Sequence, residues 1–529
     1  MNCGLRFVVS LIGLTFAFSM VGCGGGSNTI TTPPPSGCVS TAAIKCTQSG
    51  AIRGVAAGGL YAFRGIPYAA PPVGDLRWKV PQPPASWNGV RDASTFGNVC
   101  PQFNYGGQLV GNEDCLTLNV FVSQTPSSQK QPVMVFLHPG GNSQGDGQSA
   151  TIDMPALPQQ GVVVVTTEYR LGMLGFFANS QLTSEGGGSS GHYGLADQVA
   201  VLKWVQSNIA AFGGDPQHVM LFGNSAGGWD VETLLAAPAA QGLFSVAAVE
   251  SGPVPAGRLP ALSSLEVTDQ AFVAAAGCSS ATDVLACMRA VPADTIVSLQ
   301  APYRFYSAVG SPFLPTDPFV VLQQNGSPVP LLIGSNREEW SLFDNPNSQI
   351  DDTAYAAAIH ERFDPFGAGF ANQVLSLYPA AAYSTPAYAL IGVDTDYNMT
   401  CEIRNIARVA AGSNRKPVWR YFYTHAMENN ASLNAMRAFH SQEVTFVFGN
   451  FSGLNVPYTP TAAEVVLAND MMGYWSRFAA TGDPNGAGAV AWPQYDPSTD
   501  SMLQIDDSQL AINGYNNTQC DYLSTLLQP

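Results

Sequence analysis

The sequence predicts an α/β fold with a mostly parallel central sheet flanked by helices, and three observations carry that expectation. Short apolar runs recur along the chain: Val133-Met134-Val135-Phe136-Leu137, Val162-Val163-Val164-Val165-Thr166, Val219-Met220-Leu221-Phe222 and Leu331-Leu332-Ile333. Unbroken runs of this length suit strands covered on both faces, the situation inside a parallel sheet. Between them, Leu195, Val199, Leu202, Val205, Ile209 and Phe212 recur at three- and four-residue steps. That spacing puts them on one face of a helix, which Gly213-Gly214 ends. Strands that alternate with helices in this way build an α/β sheet rather than segregated layers.

Composition supports a large folded unit. Of 529 residues, 46% are hydrophobic and only 11% charged, enough apolar surface for a sizeable core and too few charges for a disordered chain. Lys and Arg number 22 against 38 Asp and Glu, a formal net charge of -16. An acidic surface repels phosphate backbones, which argues against a nucleic-acid partner.

The N-terminus reads as an export signal. Residues 1–6 carry a short positive region, and residues 7–21 are apolar with small residues mixed in, too short a stretch to span a bilayer comfortably. Met20-Val21-Gly22-Cys23 resembles a bacterial lipobox. Residues 1–22 are therefore expected to be a signal peptide and Cys23 a lipid-modified first mature residue. Residues 23–37 are rich in Gly, Ser and Pro and read as a lipid-anchored flexible linker. Residues 38–529 show no linker-like stretch, repeat or charge block and read as one catalytic unit. The expected location is the periplasm or cell surface as a lipoprotein, or otherwise secretion, with membrane contact only through the anchor.

Ten cysteines fit an oxidising compartment. Cys3 leaves with the signal and Cys23 carries lipid, so eight remain. Pairing cannot be deduced from sequence alone, but local spacing favours Cys38–Cys46, Cys100–Cys115 and Cys278–Cys287, which leaves Cys401 with Cys520. No pair has the two-residue spacing of a zinc ribbon.

Gly223-Asn224-Ser225-Ala226-Gly227-Gly228 follows the run that ends at Phe222 and precedes a helical apolar stretch, residues 231–235. A serine between two glycines at a strand-to-helix turn is a nucleophile candidate, because the sharp turn exposes the hydroxyl and leaves no room for bulk two residues to either side. The helix N-terminus there favours developing negative charge. Upstream, His138-Pro139-Gly140-Gly141 follows another strand. Glycines let backbone N–H groups approach an oxyanion closely, so the expected donors are the N–H groups of Gly140, Gly141 and Ala226.

For a serine on such a turn, the acid and then the histidine follow in chain order. His360, His425 and His440 are the histidines beyond Ser225. His440, just before the apolar run 444–448, is modestly favoured, while His425 follows an aromatic strand and could be a core residue. Glu338 and Glu339 lie in a loop after the strand that ends at Ile333, where a carboxylate could orient an imidazole. Their adjacency leaves the choice open, and the other is expected to be a solvated surface charge.

These residues resemble those of the type-B carboxylesterases, the group that also holds the cholinesterases and bile-salt-activated lipase. The stretch Phe63-Arg64-Gly65-Ile66-Pro67-Tyr68-Ala69-Ala70-Pro71-Pro72-Val73-Gly74 is similar to the family's N-terminal segment, and Glu113-Asp114-Cys115-Leu116-Thr117-Leu118-Asn119-Val120 to its second signature. Tyr169-Arg170-Leu171-Gly172 and residues 208–216 also fit, so that the likeness runs from Phe63 to Trp492. The resemblance implies an α/β-hydrolase fold with large insertions. It places the acid at Glu339, by Asn336-Arg337-Glu338-Glu339-Trp340, and the base at His440, by His440-Ser441-Gln442-Glu443 followed by Phe446-Val447-Phe448. It also implies disulfides Cys100–Cys115 and Cys278–Cys287, with Cys401–Cys520 matching a third found in some members.

The implied activity is hydrolysis of small carboxylic esters through an acyl-enzyme, with no metal or organic cofactor. A lipase acting on longer glycerides and a non-catalytic binding member are the alternatives. The chain departs from the family in four places: Asn224 stands where Glu is usual before the serine, Pro139 where the first of three glycines is usual, Trp340 follows the acid in place of glycine, and Trp229 and Asp230 follow the turn. The loop between Cys100 and Cys115 has no Trp. Quaternary ammonium groups need an aromatic face, so choline esters are not expected as substrates.

Overall fold

The structure, a computed structural model, describes residues 38–526 apart from 126, 255–258, 302, 413–415 and 455. The expected signal peptide, the linker and Cys23 lie outside the described residues.

Eleven strands form the main sheet: β1 (Val55–Ala57), β2 (Leu60–Pro67), β3 (Thr117–Ser123), β4 (Gln131–Leu137), β5 (Val163–Thr167), β6 (Gly214–Asn224), β7 (Val246–Glu250), β8 (Leu331–Asn336), β9 (Val418–Tyr423), β10 (Ser501–Ile505) and β11 (Leu510–Asn513). Their order across the sheet is β11-β10-β9-β8-β7-β6-β4-β5-β3-β2-β1. Every pairing from β5 through β4, β6, β7, β8 and β9 to β10 is parallel, and the pairings at both edges are antiparallel.

Side-chain alternation explains the continuous apolar runs. Along β4, Val133, Val135 and Leu137 enter the core on one face, while Met134 and Phe136 enter the core on the other. In β6, Val219 and Leu221 part from Met220 and Phe222 in the same way. Both faces are apolar because helices cover both. On the first face lie α1 (Tyr193–Asn208), α2 (Ala226–Ala236) and α3 (Cys401–Ala410), through residues such as Leu202, Val231 and Ile406. On the second lie α4 (Gln442–Phe448) and α5 (Ala462–Thr481), through Phe446, Met471 and Trp475. The predicted helix over 195–212 is α1 followed by a 3₁₀ turn, Ile209–Phe212, which Gly213 ends at φ 89°. A left-handed residue there satisfies the last carbonyls, and glycine adopts it without strain.

Two charged residues of the motifs that carried the resemblance, Glu113 and Arg170, are held in ion pairs. Arg77 forks the Glu113 carboxylate at 2.8 and 2.5 Å, and buried Arg170 forks buried Asp197 at 2.8 and 2.7 Å. Bidentate pairing offsets the cost of burying both charges.

Among the described residues there are four disulfides: Cys38–Cys46, Cys100–Cys115, Cys278–Cys287 and Cys401–Cys520. The last joins α3 to a C-terminal helix 119 residues further along the chain. A crosslink closing so long a loop restricts the unfolded chain most. Replacing both Cys401 and Cys520 by Ser is therefore expected to lower stability by about 2–5 kcal/mol, read as a shift in the urea midpoint at unchanged slope. No described helix is long and apolar enough to cross a membrane.

The catalytic candidates all sit at the carboxyl end of this sheet, where the strands release their loops: Leu137 ends β4, Asn224 ends β6, Asn336 ends β8, and a loop beyond β9 leads to His440. That edge is where open parallel sheets bind ligands.

Candidate active site

Ser225 stands between β6 and α2 with φ 56° and ψ -122°, a conformation that is costly for any residue with a Cβ and persists only where the surroundings hold it. Here its N–H donates to the Glu250 carbonyl at 2.9 Å, and its own carbonyl accepts from Trp229 N–H at 3.0 Å. The flanking glycines are required by contact. A Cβ on Gly223 would lie 2.5 Å from the Gly227 backbone, and one on Gly227 would lie 2.1 Å from the Leu137 carbonyl oxygen. The turn is thus packed directly against the loop that leaves β4.

In that loop Gly140 has φ 125° and Gly141 φ 63°. A Cβ on Gly140 would sit 2.0 Å from the Gln144 carbonyl oxygen. Among the described residues, nothing accepts a hydrogen bond from the backbone N–H of Gly140, Gly141 or Ala226. Three unused donors beside Ser225 are the kind of groups that a developing oxyanion needs. Pro139 lies outside this set, so its missing N–H costs the site nothing. Tyr169 holds the start of the loop, with its ring stacked on His138 at 4.2 Å and its hydroxyl donating to the His138 carbonyl at 2.8 Å.

The next residue of the loop, Asn142, is pinned by a contact that sequence reasoning missed. Asn142 Nδ2 donates to Asp230 at 3.0 Å and to the Phe305 carbonyl at 3.3 Å, while Gln198 Nε2 donates to the other Asp230 oxygen at 2.5 Å. Burial pushes the Asp230 carboxyl up to about 7, against these two hydrogen bonds, which lower it. Asp230, on α2, so ties the helix behind the serine to the loop that bears the free donors.

Glu339 is fully buried. Its Oε1 accepts from Asn336 N–H at 2.6 Å, and its Oε2 lies 2.6 Å from His440 Nδ1. A carboxylate only accepts, so Nδ1 carries a proton, and in the neutral ring Nε2 is left with its lone pair. Nε2 is buried and makes no hydrogen bond to any described residue. Burial alone would lower the His440 pKa. The Glu339 charge and hydrogen bond, together with the charge of Glu443, outweigh burial and raise it above its ordinary value.

Glu338 is not the solvated charge expected from sequence. Only 7% of it is exposed. Its carboxylate pairs with Arg337 at 2.8 Å and Arg437 at 3.5 Å and accepts from Ala438 N–H at 3.3 Å, which anchors the loop that carries His440. Of the other histidines, His360 is half-exposed and pairs with Asp364 at 3.0 Å, and His425 faces a separate group of carboxylates.

Glu443, quoted in the histidine motif but given no role, joins the segments that carry Ser225, Glu339 and His440. It is fully buried and accepts from Asn224 Nδ2 at 2.8 Å, Ser251 Oγ at 3.1 Å and Asn336 Nδ2 at 2.5 Å. Asn224 Oδ1 also accepts from Ser441 Oγ at 2.5 Å. The residue before Ser225, the residue at the end of β8 and the residue after His440 are therefore locked together. Burial, then the neighbouring Glu339 charge, raises the Glu443 carboxyl to about 7. Asn224 fits this setting, since an amide can donate to Glu443 where a second carboxylate would repel it.

Aromatic side chains border the site. The ring of Phe343, which is 56% exposed, lies 5.4 Å from that of His440 and 5.0 Å from that of Trp340. On α2, Trp229 packs on Tyr306 at 4.8 Å.

Comparison with known proteins adds a family. The family model described as "Carboxylesterase family" matches residues 40–523. The chain is 37% identical over 493 residues to para-nitrobenzyl esterase of Bacillus subtilis (strain 168), covering 89% of this chain and 96% of that one. It is 33% identical to fumonisin B1 esterase of Sphingopyxis macrogoltabida, covering 86% and 84%, and 31% identical to human cocaine esterase, covering 88% of each. Among solved structures, a PNB esterase superposes with a TM-score of 0.77 at 35% identity, covering 91% of this chain and all of the other.

Proposed function

The chain belongs to the carboxylesterase family and is a serine-type carboxylic ester hydrolase, and from that premise we propose that Ser225 is the nucleophile, His440 its base and Glu339 the acid that orients His440. The buried Glu339–His440 contact of 2.6 Å carries this assignment, because it directs an unprotonated Nε2 away from the carboxylate. His440 Nε2 takes the Ser225 Oγ proton while Oγ attacks the ester carbonyl carbon. The carbonyl electrons move onto oxygen, where the Gly140, Gly141 and Ala226 N–H groups meet them. Collapse expels the alcohol, protonated by His440. Water, deprotonated in turn by His440, then attacks the acyl-Ser225 carbonyl and releases the acid.

The ring of Phe343 beside His440, with Trp340 packed on it, suits an ester with an apolar or aromatic group, so para-nitrobenzyl and p-nitrophenyl esters are fitting probes. Export also belongs to this reading. The four disulfides support an oxidising compartment, and the lipobox at Cys23 supports a lipid anchor.

A fluorophosphonate probe followed by intact-mass analysis tests the nucleophile. One adduct on the wild type and none on Ser225→Ala is expected. A folded wild type that takes no adduct and turns over no ester would point to a binding protein instead.

The raised His440 pKa sets the pH dependence. The base must be neutral, and a raised pKa keeps it protonated to higher pH. kcat/KM for p-nitrophenyl butyrate is therefore expected to fall, as pH drops, through an apparent pKa above about 6.5. A profile measured between about pH 5 and 8 that stays flat down to pH 6 would contradict this electrostatic reading.

A further inference from the structure

Beyond the catalytic loops, His425 follows β9 and is ringed by carboxylates. Its Nε2 lies 3.2 Å from Glu464 Oε1, and its Nδ1 lies 3.1 Å from Asp507 Oδ1 and 3.4 Å from Asp506 Oδ1. The ring itself is buried, whereas the two Asp side chains are 33% and 45% exposed. One donor atom from each of His425, Asp506 and Asp507 falls within 4.8 Å of the others, the one such group of three among the described residues. We propose that His425 Nδ1, Asp506 and Asp507 form a binding site for a divalent transition cation of the zinc class, with Glu464 orienting the imidazole from behind.

Glu464 decides which nitrogen is free to bind. Its Oε2 accepts from Thr461 N–H at 2.7 Å, and its Oε1 accepts from Glu428 N–H at 3.2 Å and from the Tyr458 hydroxyl. It also caps α5, which begins one residue after Thr461. So restrained, it can only receive the His425 Nε2 proton. That leaves the Nδ1 lone pair facing the two Asp oxygens, the carboxylate–histidine arrangement that prepares an imidazole for a metal. A lone pair and two carboxylates repel one another unless a proton or a metal cation lies between them. A single proton on Nδ1 can serve one of the oxygens well, while a divalent ion serves both.

Distances agree with the larger ion. Donors bound at about 2.0–2.2 Å and separated by 90–110° stand roughly 3.0–3.5 Å apart, the range of the two Nδ1 contacts. The donor set selects among ions: calcium and magnesium prefer all-oxygen shells, whereas imidazole with carboxylates suits zinc and its neighbours. The exposed Asp side chains give an entry path and leave room for a bound water.

The site would cross-link the ends of two adjacent strands. His425 follows β9 and Asp506 follows β10, already joined by a Thr424 Oγ1 to Asp506 hydrogen bond of 2.7 Å. The His425 carbonyl accepts from Gln442 Nε2 at 3.3 Å, two residues beyond His440. A bound ion would thus brace the segment that carries the catalytic histidine without touching substrate. His218 and His360 offer less, since each is paired with a single Asp.

The test uses the full chain stripped with EDTA, then equilibrium dialysis against Zn²⁺ with metal analysis, and thermal melting with and without Zn²⁺. One zinc per chain, a higher melting midpoint with zinc, and binding weakened by at least about tenfold in Asp507→Asn are expected. Asp507 is exposed, so that variant should fold, and its ester hydrolysis without zinc checks that it has. His425→Gln is expected to lose binding as well. No saturable zinc binding to wild type would overturn the proposal and leave His425 as a protonated ion-pair partner. Equal binding by wild type and Asp507→Asn would also overturn it, placing the ion elsewhere. So would tighter binding of Ca²⁺ than of Zn²⁺.

Discussion

Ser225→Ala is expected to lower kcat for p-nitrophenyl butyrate by about 10⁴-fold or more, with the fold intact. The change removes one oxygen and keeps the Cβ, so the strain of φ 56° is neither added nor relieved. Nothing in the surrounding hydrogen bonds is lost, because the backbone bonds to Glu250 and Trp229 hold the turn. What disappears is the atom proposed to form the acyl bond. Residual hydrolysis should come only from the free N–H donors and substrate binding. His440→Ala should cost nearly as much, and the double variant little more than either alone, since nucleophile and base act as a unit. A Ser225→Ala protein that keeps a tenth of wild-type kcat would remove Ser225 from the mechanism.

Glu339→Gln is expected to lower kcat by about 10⁴-fold, equivalent to about 5.4 kcal/mol of transition-state stabilisation. The geometry makes the damage specific. Asn336 N–H needs an acceptor at 2.6 Å, so the glutamine will turn its oxygen there and aim its NH₂ at His440 Nδ1. Nδ1 must then accept, which moves the ring proton to Nε2. A protonated Nε2 cannot receive the Ser225 proton. The loss should therefore fall mainly on kcat, with KM little changed. Glu338→Gln is the control: it disturbs the pairing with Arg337 and Arg437 and should cost less than about tenfold. If Glu338→Gln were the crippling change and Glu339→Gln the mild one, the acid would have been assigned to the wrong neighbour.

Much of the fold was legible because it rests on local periodicity. Residues 133–137 and 219–222 are apolar at every position, and β4 and β6 indeed bury both faces. The Ser225 turn was legible for a related reason: its glycines sit within two residues of the serine, and the contacts that demand them involve Gly227 itself and Leu137. Glu338 against Glu339 was different. Neighbours in sequence point in different directions at the end of a strand, and only the family resemblance separated them beforehand. The structure separates them by partner, with Arg337 and Arg437 for one and His440 for the other.

Contacts between distant segments left no local trace. Asn142 and Asp230 are 88 residues apart, and Asn224 and Glu443 are 219 apart. Taken singly, each of these is a polar residue in or beside a loop or helix, with nothing to mark it as buried. Sequence by itself determined the α/β class, the strands, the serine turn and the pool of cysteines, because backbone geometry and side-chain alternation act over a few residues. Local spacing and the family resemblance also anticipated the four disulfide pairs, but the clamp on Asn142, the Glu443 junction and the carboxylates around His425 were decided only by tertiary structure. A buried charge or amide is stable only where the completed fold supplies its partner, and which residue arrives there depends on how the whole sheet closes.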